Sequence, residues 1–269
     1  MFNKRLFFIS VLLNALILFL HHTAKAQNTS NKGRDFWLGY GNHVRGFLNS
    51  ETPESFNTQK MVVYLTSDVN TTAKVEIGGL NYTKSYVVKA NEVTIADIPQ
   101  GAYLKDDGKY NLGIHVTSEK PIVVYAHIYN RNVSGATLVL PTNTLGKDYY
   151  SINYSQESVE NNSYSYFFVT AIEDNTSVEI IPSKNTKGGW LANTSHVVML
   201  DKGEVYQVLG DIGSKIQLYT NRIPAYDPPF YKYYNSDLTG SRIRSISTNS
   251  EPCKKIAVFS GSGKTYLVV

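Results

Sequence analysis

The sequence is short of several things at once, and each shortage excludes something. It has one cysteine, Cys253, so no internal disulfide can form and no Cys-based zinc site can be built. Charged residues make up 18% of the chain and form no blocks of one sign, which leaves no electrostatic footprint for nucleic acid. Helical periodicity is almost missing. The one long apolar run, Leu6 to Leu20, has 15 residues, short of the ~20 that span a bilayer. There is no Gly-x-Ser-x-Gly elbow and no His-x-x-x-His pair. What remains is 42% hydrophobic residues over 269 positions, enough for a substantial core and too apolar for general disorder.

Residues 1–26 read as a secretory signal peptide. Lys4 and Arg5 form the positive end, the apolar run follows, and Ala24-Lys25-Ala26 supplies a small-residue cleavage site. Cleavage there removes Lys4, Arg5 and Lys25 and no acid. The 26 basic residues become 23 against 22 acidic ones, and the apparent net charge of +4 drops to +1. The expected product is secreted or held at the cell surface, with no stable membrane insertion. An odd cysteine in an exported chain points to a free thiol or to a disulfide partner outside this chain. Together with the strand-like ending Tyr266-Leu-Val-Val269, Cys253 reads as a sign that the protein continues past residue 269.

Short β-branched and aromatic runs, cut by Gly, Pro, Asn and Asp, predict strands at 36–40, 61–66, 73–77, 86–88, 93–95, 113–117, 122–128, 137–140, 164–172, 177–181, 196–200, 205–209, 215–219, 241–247 and 255–259. The fold class is therefore all-β. An internal likeness refines it. Val63–Ile77 resembles Phe167–Ile180, and Gly113–Val124 corresponds loosely to Gly240–Val258. The register is 103 at Val75/Val178 and 134 at Ile122/Ile256, so the second copy is longer by the difference of 31. This predicts two tandem, related β-sandwich-like repeats, 27–150 and 151–269, with a β-propeller as the alternative. Most of the excess falls in 223–238, where Pro228 and Pro229 exclude a central strand and predict a long loop.

That loop is aromatic. Tyr226, Phe230, Tyr231, Tyr233 and Tyr234 would offer flat faces to a sugar or protein partner and form the candidate ligand-binding residues. Two acidic turns, Asp106-Asp107-Gly108 and Glu173-Asp174-Asn175, could serve a glycosidase or hold Ca²⁺ loosely, though Asp and Asn also favour turns for backbone reasons. Gly261-Ser-Gly-Lys-Thr265 lacks the first glycine of a phosphate-binding loop, since Val258 stands there, and reads as a hairpin turn. Past the signal segment the histidines are His43, His115, His127 and His196, without ligand spacing. No resident metal and no cofactor are expected. Eight Asn-x-Ser/Thr sequons, at Asn28, Asn70, Asn81, Asn132, Asn153, Asn161, Asn175 and Asn193, read as polar turns and strand edges unless the source glycosylates them.

Several segments occur in an order that points to a family: Gly33-Arg-Asp-Phe-Trp-Leu-Gly39, Ser118–Val124, Leu138-Val-Leu-Pro141 with Leu145-Gly146, Val169–Thr176 and Cys253-Lys-Lys-Ile-Ala-Val-Phe-Ser-Gly261. The set resembles the N-terminal domain of IgGFc-binding protein, over nearly all of the chain after the signal segment. The resemblance implies an extracellular, non-enzymatic binding or adhesion module of a larger secreted or surface protein. For bacterial members it implies gliding-associated export. In relatives the Cys of the last motif is followed by further cysteines. The partners it implies are an extracellular glycoprotein, a mucin or a polysaccharide, and it carries over no Fc-contact motif. The alternative is a carbohydrate-active enzyme, or its accessory sugar-binding module, working through the acidic turns.

Overall fold

The computed structural model describes residues 30–44, 59–130, 133–218 and 230–265. The signal segment, Tyr226 and the terminal Tyr-Leu-Val-Val lie outside the described residues. Among those described the chain forms eighteen strands: β1 (Gly33–Leu38), β2 (Lys60–Thr66), β3 (Thr71–Ile77), β4 (Tyr82–Val88), β5 (Val93–Asp97), β6 (Gly108–Tyr110), β7 (Ile114–Tyr129), β8 (Ser134–Val139), β9 (Asp148–Tyr150), β10 (Gln156–Ser158), β11 (Ser165–Ala171), β12 (Thr176–Ile181), β13 (His196–Leu200), β14 (Val205–Leu209), β15 (Ser214–Leu218), β16 (Phe230–Asn235), β17 (Arg242–Ser245) and β18 (Ile256–Ser262). The fold is all-β, and none of these residues lies in an α-helix.

Alternation builds the first part. In β3, Ala73, Val75 and Ile77 are buried while Thr72 and Lys74 face out, as a strand covered on one side requires. The same inward set in β1, β2 and β7 gives a core that includes Phe36, Leu38, Val63, Leu65, Ile114, Val116 and Val124. The hairpin turns use Asn for its tolerance of the left-handed region: Asn81, Asn91, Asn175 and Asn193 all have positive φ.

The expected strands 113–117 and 122–128 are one 16-residue strand, β7. Its first part pairs with β1 and β3, and its second with β2 and β8. Pro121 sits between those parts, where its missing N–H costs no ladder bond. Passing from one sheet face to the other, β7 nearly closes the seven strands on themselves.

The second part packs the sheet β18-β11-β14-β6 against the sheet β13-β12-β17-β9, around a core including Phe167, Val169, Val178, Ile180, Leu200 and Ile256. β2 and β3 pair with β5, β4 and the two parts of β7; β11 and β12 pair with β14, β13, β18 and β17. Two strands that precede residue 151 are nonetheless built into these second sheets: β6 pairs with β14, and β9 with β17.

The long loop expected over 223–238 is corrected from residue 230 onward. Phe230–Asn235 is β16, the central strand of a three-stranded sheet β10-β16-β15. The two prolines end just before it, and Phe-Tyr-Lys-Tyr-Tyr-Asn is a run of strong strand formers with no missing N–H.

Candidate functional site

A third apolar cluster joins the two parts. Leu104, Phe168 and Val205 are buried together, with Tyr110, Leu112, Tyr166 and Phe259 packed on them. Tyr166, Phe168 and Phe259 form an aromatic ladder, with ring centroids 6.3 and 5.1 Å apart and planes inclined by 11° and 19°. Glycines let this ladder seat against the backbone. A Cβ on Gly41 would lie 2.7 Å from Tyr166 Cδ2 and nearer still to Cε2, and one on Gly261 would lie 2.6 Å from the Tyr166 hydroxyl. The Tyr166 ring is thus wedged between the segment after β1 and the end of β18. Burial pushes its phenol up to about 12.

Above the ladder lies an open cleft of about 480 Å³, within the size range of small-ligand pockets, ~300–1,000 Å³. One lip is β8 and the other is β18; Gly39–His43 closes one end, and Tyr166 and Phe168 form the floor. Among the described residues no Asp, Glu, Lys or Arg lines it. The end segment is held by buried polar contacts. Gln207 is fully buried; its Oε1 accepts the Asn42 N–H at 2.9 Å, and its Nε2 donates to the carbonyls of Leu104 (3.1 Å) and Asp106 (2.9 Å). Asn42 Oδ1 accepts the Tyr164 N–H at 3.2 Å. Asn42 Nδ2 is buried too, and the Asn42 side chain hydrogen-bonds Tyr103.

The aromatic candidates are placed elsewhere. Alternation along β16 turns Tyr231 and Tyr233 to one face and Tyr234 to the other. Tyr231 and Tyr233 lie 6.4 Å apart, with Lys215 Nζ 4.7 Å from the Tyr231 ring centroid. Tyr234 lies beneath Lys232, which pairs with Glu157. Each of the three is half-buried, so together they are two small faces of a strand. The side chain of Phe230 lies outside the described residues.

The acidic turns are tied into the scaffold. Asp106 Oδ1 accepts from Lys187 Nζ at 2.7 Å. Asp107 Oδ1 accepts the Leu209 N–H at 3.0 Å, while its Oδ2 is buried without a partner. Burial first, with the neighbouring Asp106 charge adding to it, pushes the Asp107 carboxyl up to about 6. Asp174 Oδ1 caps the Lys202 N–H, and Glu173 O accepts from the Thr176 hydroxyl. These are turn and capping contacts, and the two acidic pairs share no partner. His115 lies 2.9 Å from Asp35 and stacks on Trp37; His196 stacks on Trp190. Among the described residues no three His, Cys, Asp or Glu side chains converge. Cys253 is half-exposed and free, just before β18. At the phosphate-loop lookalike, β18 runs on to Ser262 and Lys264 pairs with Glu160.

Residues 135–268 match the family model described as IgGFc binding protein. Over that span the chain is similar to the IgGFc-binding family. The match takes in two of the quoted motifs that build the lips: Leu138-Val-Leu-Pro141 carries the end of β8, and the motif closing at Gly261 carries most of β18. The segments Gly33–Gly39 and Ser118–Val124 lie before the matched span. No curated protein and no solved structure matches the chain. No helix of the described residues is long and apolar enough to cross a membrane.

Proposed function

We propose that this chain is a non-catalytic extracellular binding or adhesion module of a larger secreted or cell-surface protein, exported by cleavage after Ala26. The observation that carries the reading is the cleft between β8 and β18. It is concave and lined mainly by apolar and small residues; among the described residues it holds no carboxylate or lysine, and its one imidazole, His43, is buried with no acid beside it in the lining. Its lips fall within the matched span of a family named for binding, apart from Ser134 at the start of β8. The ligand classes that fit an exported module are an extracellular glycoprotein such as immunoglobulin Fc, a mucin, or a polysaccharide.

The test presents the exported chain to immobilised immunoglobulin Fc, to mucin and to a glycan array, and recovers the captured ligand. Saturable binding with the ligand chemically unchanged is the expected result. Turnover of a glycan that disappears in Asp106→Asn, Asp107→Asn, Glu173→Gln or Asp174→Asn would establish the carbohydrate-active alternative and overturn this reading.

A further inference from the structure

The two lips of the cleft are not side-chain surfaces but strand edges. Among the described residues β8 pairs only with β7, and β18 only with β11. Ser134 to Leu138 and Ala257 to Ser262 line the cleft without a gap. A strand that showed the cleft one face would contribute every second residue; only an edge contributes consecutive ones.

The ladders fix which backbone groups of these cleft-lining strands point away from their partner strands. Gly263 N–H donates to Tyr164 O at 2.8 Å, and the register continues from Ser165↔Ser262 to Ala171↔Ile256. Hydrogen-bonded pairs alternate with pairs whose groups point away from the partner strand. The N–H and C=O of Val258, Ser260 and Ser262 therefore face outward from β11. Across the cleft, Asn130 N–H donates to Val133 O at 2.8 Å, and the register runs from Tyr129↔Ser134 to Val124↔Val139. By the same alternation Ser134, Ala136 and Leu138 face outward from β7. These six residues make no backbone–backbone hydrogen bond beyond their own ladders among the described residues, and the Leu138 carbonyl accepts from the adjacent Thr137 hydroxyl at 3.3 Å. Neither edge carries the usual protection: β8 reads Ser-Gly-Ala-Thr-Leu-Val and β18 reads Ile-Ala-Val-Phe-Ser-Gly-Ser, with no charge and no proline.

We propose that the cleft is a strand-insertion site: an extended, uncharged peptide segment of a partner protein lies between β8 and β18 and completes both ladders at once. The small residues of the lips, Gly135, Ala136, Ala257 and Gly261, leave a backbone room to approach. The five residues from Ser134 to Leu138 span about 13–17 Å at strand rise, so the occupant is a segment of about four to six residues. The absence of charge from the lining selects against acidic and basic side chains. This inference rests on the binding-module reading and names the chemistry of its ligand.

The test selects a displayed random heptapeptide library on the exported chain and resynthesises the enriched peptides. Uncharged sequences are expected. Successive amides of an inserted strand point to opposite lips, so N-methylation of alternate amides in either phase should weaken binding tenfold or more. Ala136→Pro, which removes an outward N–H and no β7 ladder bond, should weaken it by a similar factor. If Ala136→Pro fails to fold, Ser260→Pro on the opposite lip takes its place, and the methylated peptides still read the unaltered chain. Enrichment of charged peptides, no enrichment over the empty display scaffold, or tolerance of methylation in one phase overturns the insertion. Capture of Fc, mucin or glycan that survives the proline variant while no peptide is enriched would remove the insertion and leave the binding module standing; loss of all capture by the unaltered chain would remove both.

Discussion

The wedge of Tyr166 between Gly41 and Gly261 predicts a strong energetic coupling between the two parts of the fold. The three atoms nearest to a Cβ built on Gly41 all belong to Tyr166, two of them at 2.7 and 2.8 Å. Gly41 does not have positive φ, so alanine brings no backbone strain there, and the clash with the ring decides the outcome. Forcing a methyl into a packed site costs about 1–3 kcal/mol. Tyr166→Ala alone should cost about 3–5 kcal/mol, as other aromatic truncations in cores do. In the Tyr166→Ala background the added methyl meets open space. Gly41→Ala should then cost nothing, or stabilise by about 0.4–1 kcal/mol through the restricted unfolded chain. The double-mutant cycle therefore has a coupling of at least about 1–3 kcal/mol, well above the ~0.3–0.5 kcal/mol scatter of independent sites. Urea unfolding of the four proteins, with the slope monitored for two-state behaviour, measures it. If Gly41→Ala costs the same with and without the ring, the wedge does not hold the end of the cleft and the packing argument fails.

Asp107 predicts a pH dependence. Its carboxyl titrates near 6 in the fold against an ordinary value of 3.8, so the folded state holds the proton more tightly; this stability is full below about pH 4 and is lost as pH rises through 6. Unfolding at pH 4 and at pH 7 should show a loss of up to about 3 kcal/mol that Asp107→Asn abolishes, and an unchanged profile in the variant refutes the assignment. Gln207→Ala leaves the Asn42 N–H and two carbonyls unpaired in the interior, and should cost at least about 3 kcal/mol in urea unfolding; a cost under ~1 kcal/mol would mean that water replaces the amide. Mass spectrometry of the exported protein should find Gln27 as the first residue, and a product starting at Met1 would contradict the signal reading.

The strands were legible because alternation and turn residues are local. Fourteen of the observed strands overlap predicted runs, with 113–117 and 122–128 merging into β7. Of the four others, β6, β9 and β10 are three residues long, too short to show a period, and β16 was hidden by prolines that stop one residue short of it. The cleft was not legible. Its walls are backbone edges and small residues, contributed by Ser134–Leu138 and Ala257–Ser262, and neither run has a side chain that advertises chemistry. The signal closest to it was the pair of family motifs, Leu138–Pro141 and Cys253–Gly261, whose position on opposite lips only the fold reveals. The aromatic cluster at 226–234 stands out in the sequence because side chains are what a sequence displays.

The limits of the family match, 135–268, are not those of a folding unit. The match opens inside β8, whose one partner among the described residues is β7, a strand of residues 114–129. It omits β6, which completes the edge of β14, and Leu104, Tyr110 and Leu112, which cover Phe168 and Val205. A fragment of residues 135–268 would therefore expose a strand without its ladder and uncover an aromatic core. Leu104 is fully buried, and its loss alone removes about 1.5–3 kcal/mol of burial. The unpaired β8 and β14 edges add a template for aggregation. Against a net stability of about 5–15 kcal/mol for an ordinary domain, these losses together are decisive. The fragment should melt without cooperativity and bind a hydrophobic dye, while residues 30–268 melt in one transition. A fragment with the same cooperative melting temperature as the longer chain would show that β6, β7 and Leu104 are dispensable, and with them the claim that the cleft is built jointly by both parts of the fold.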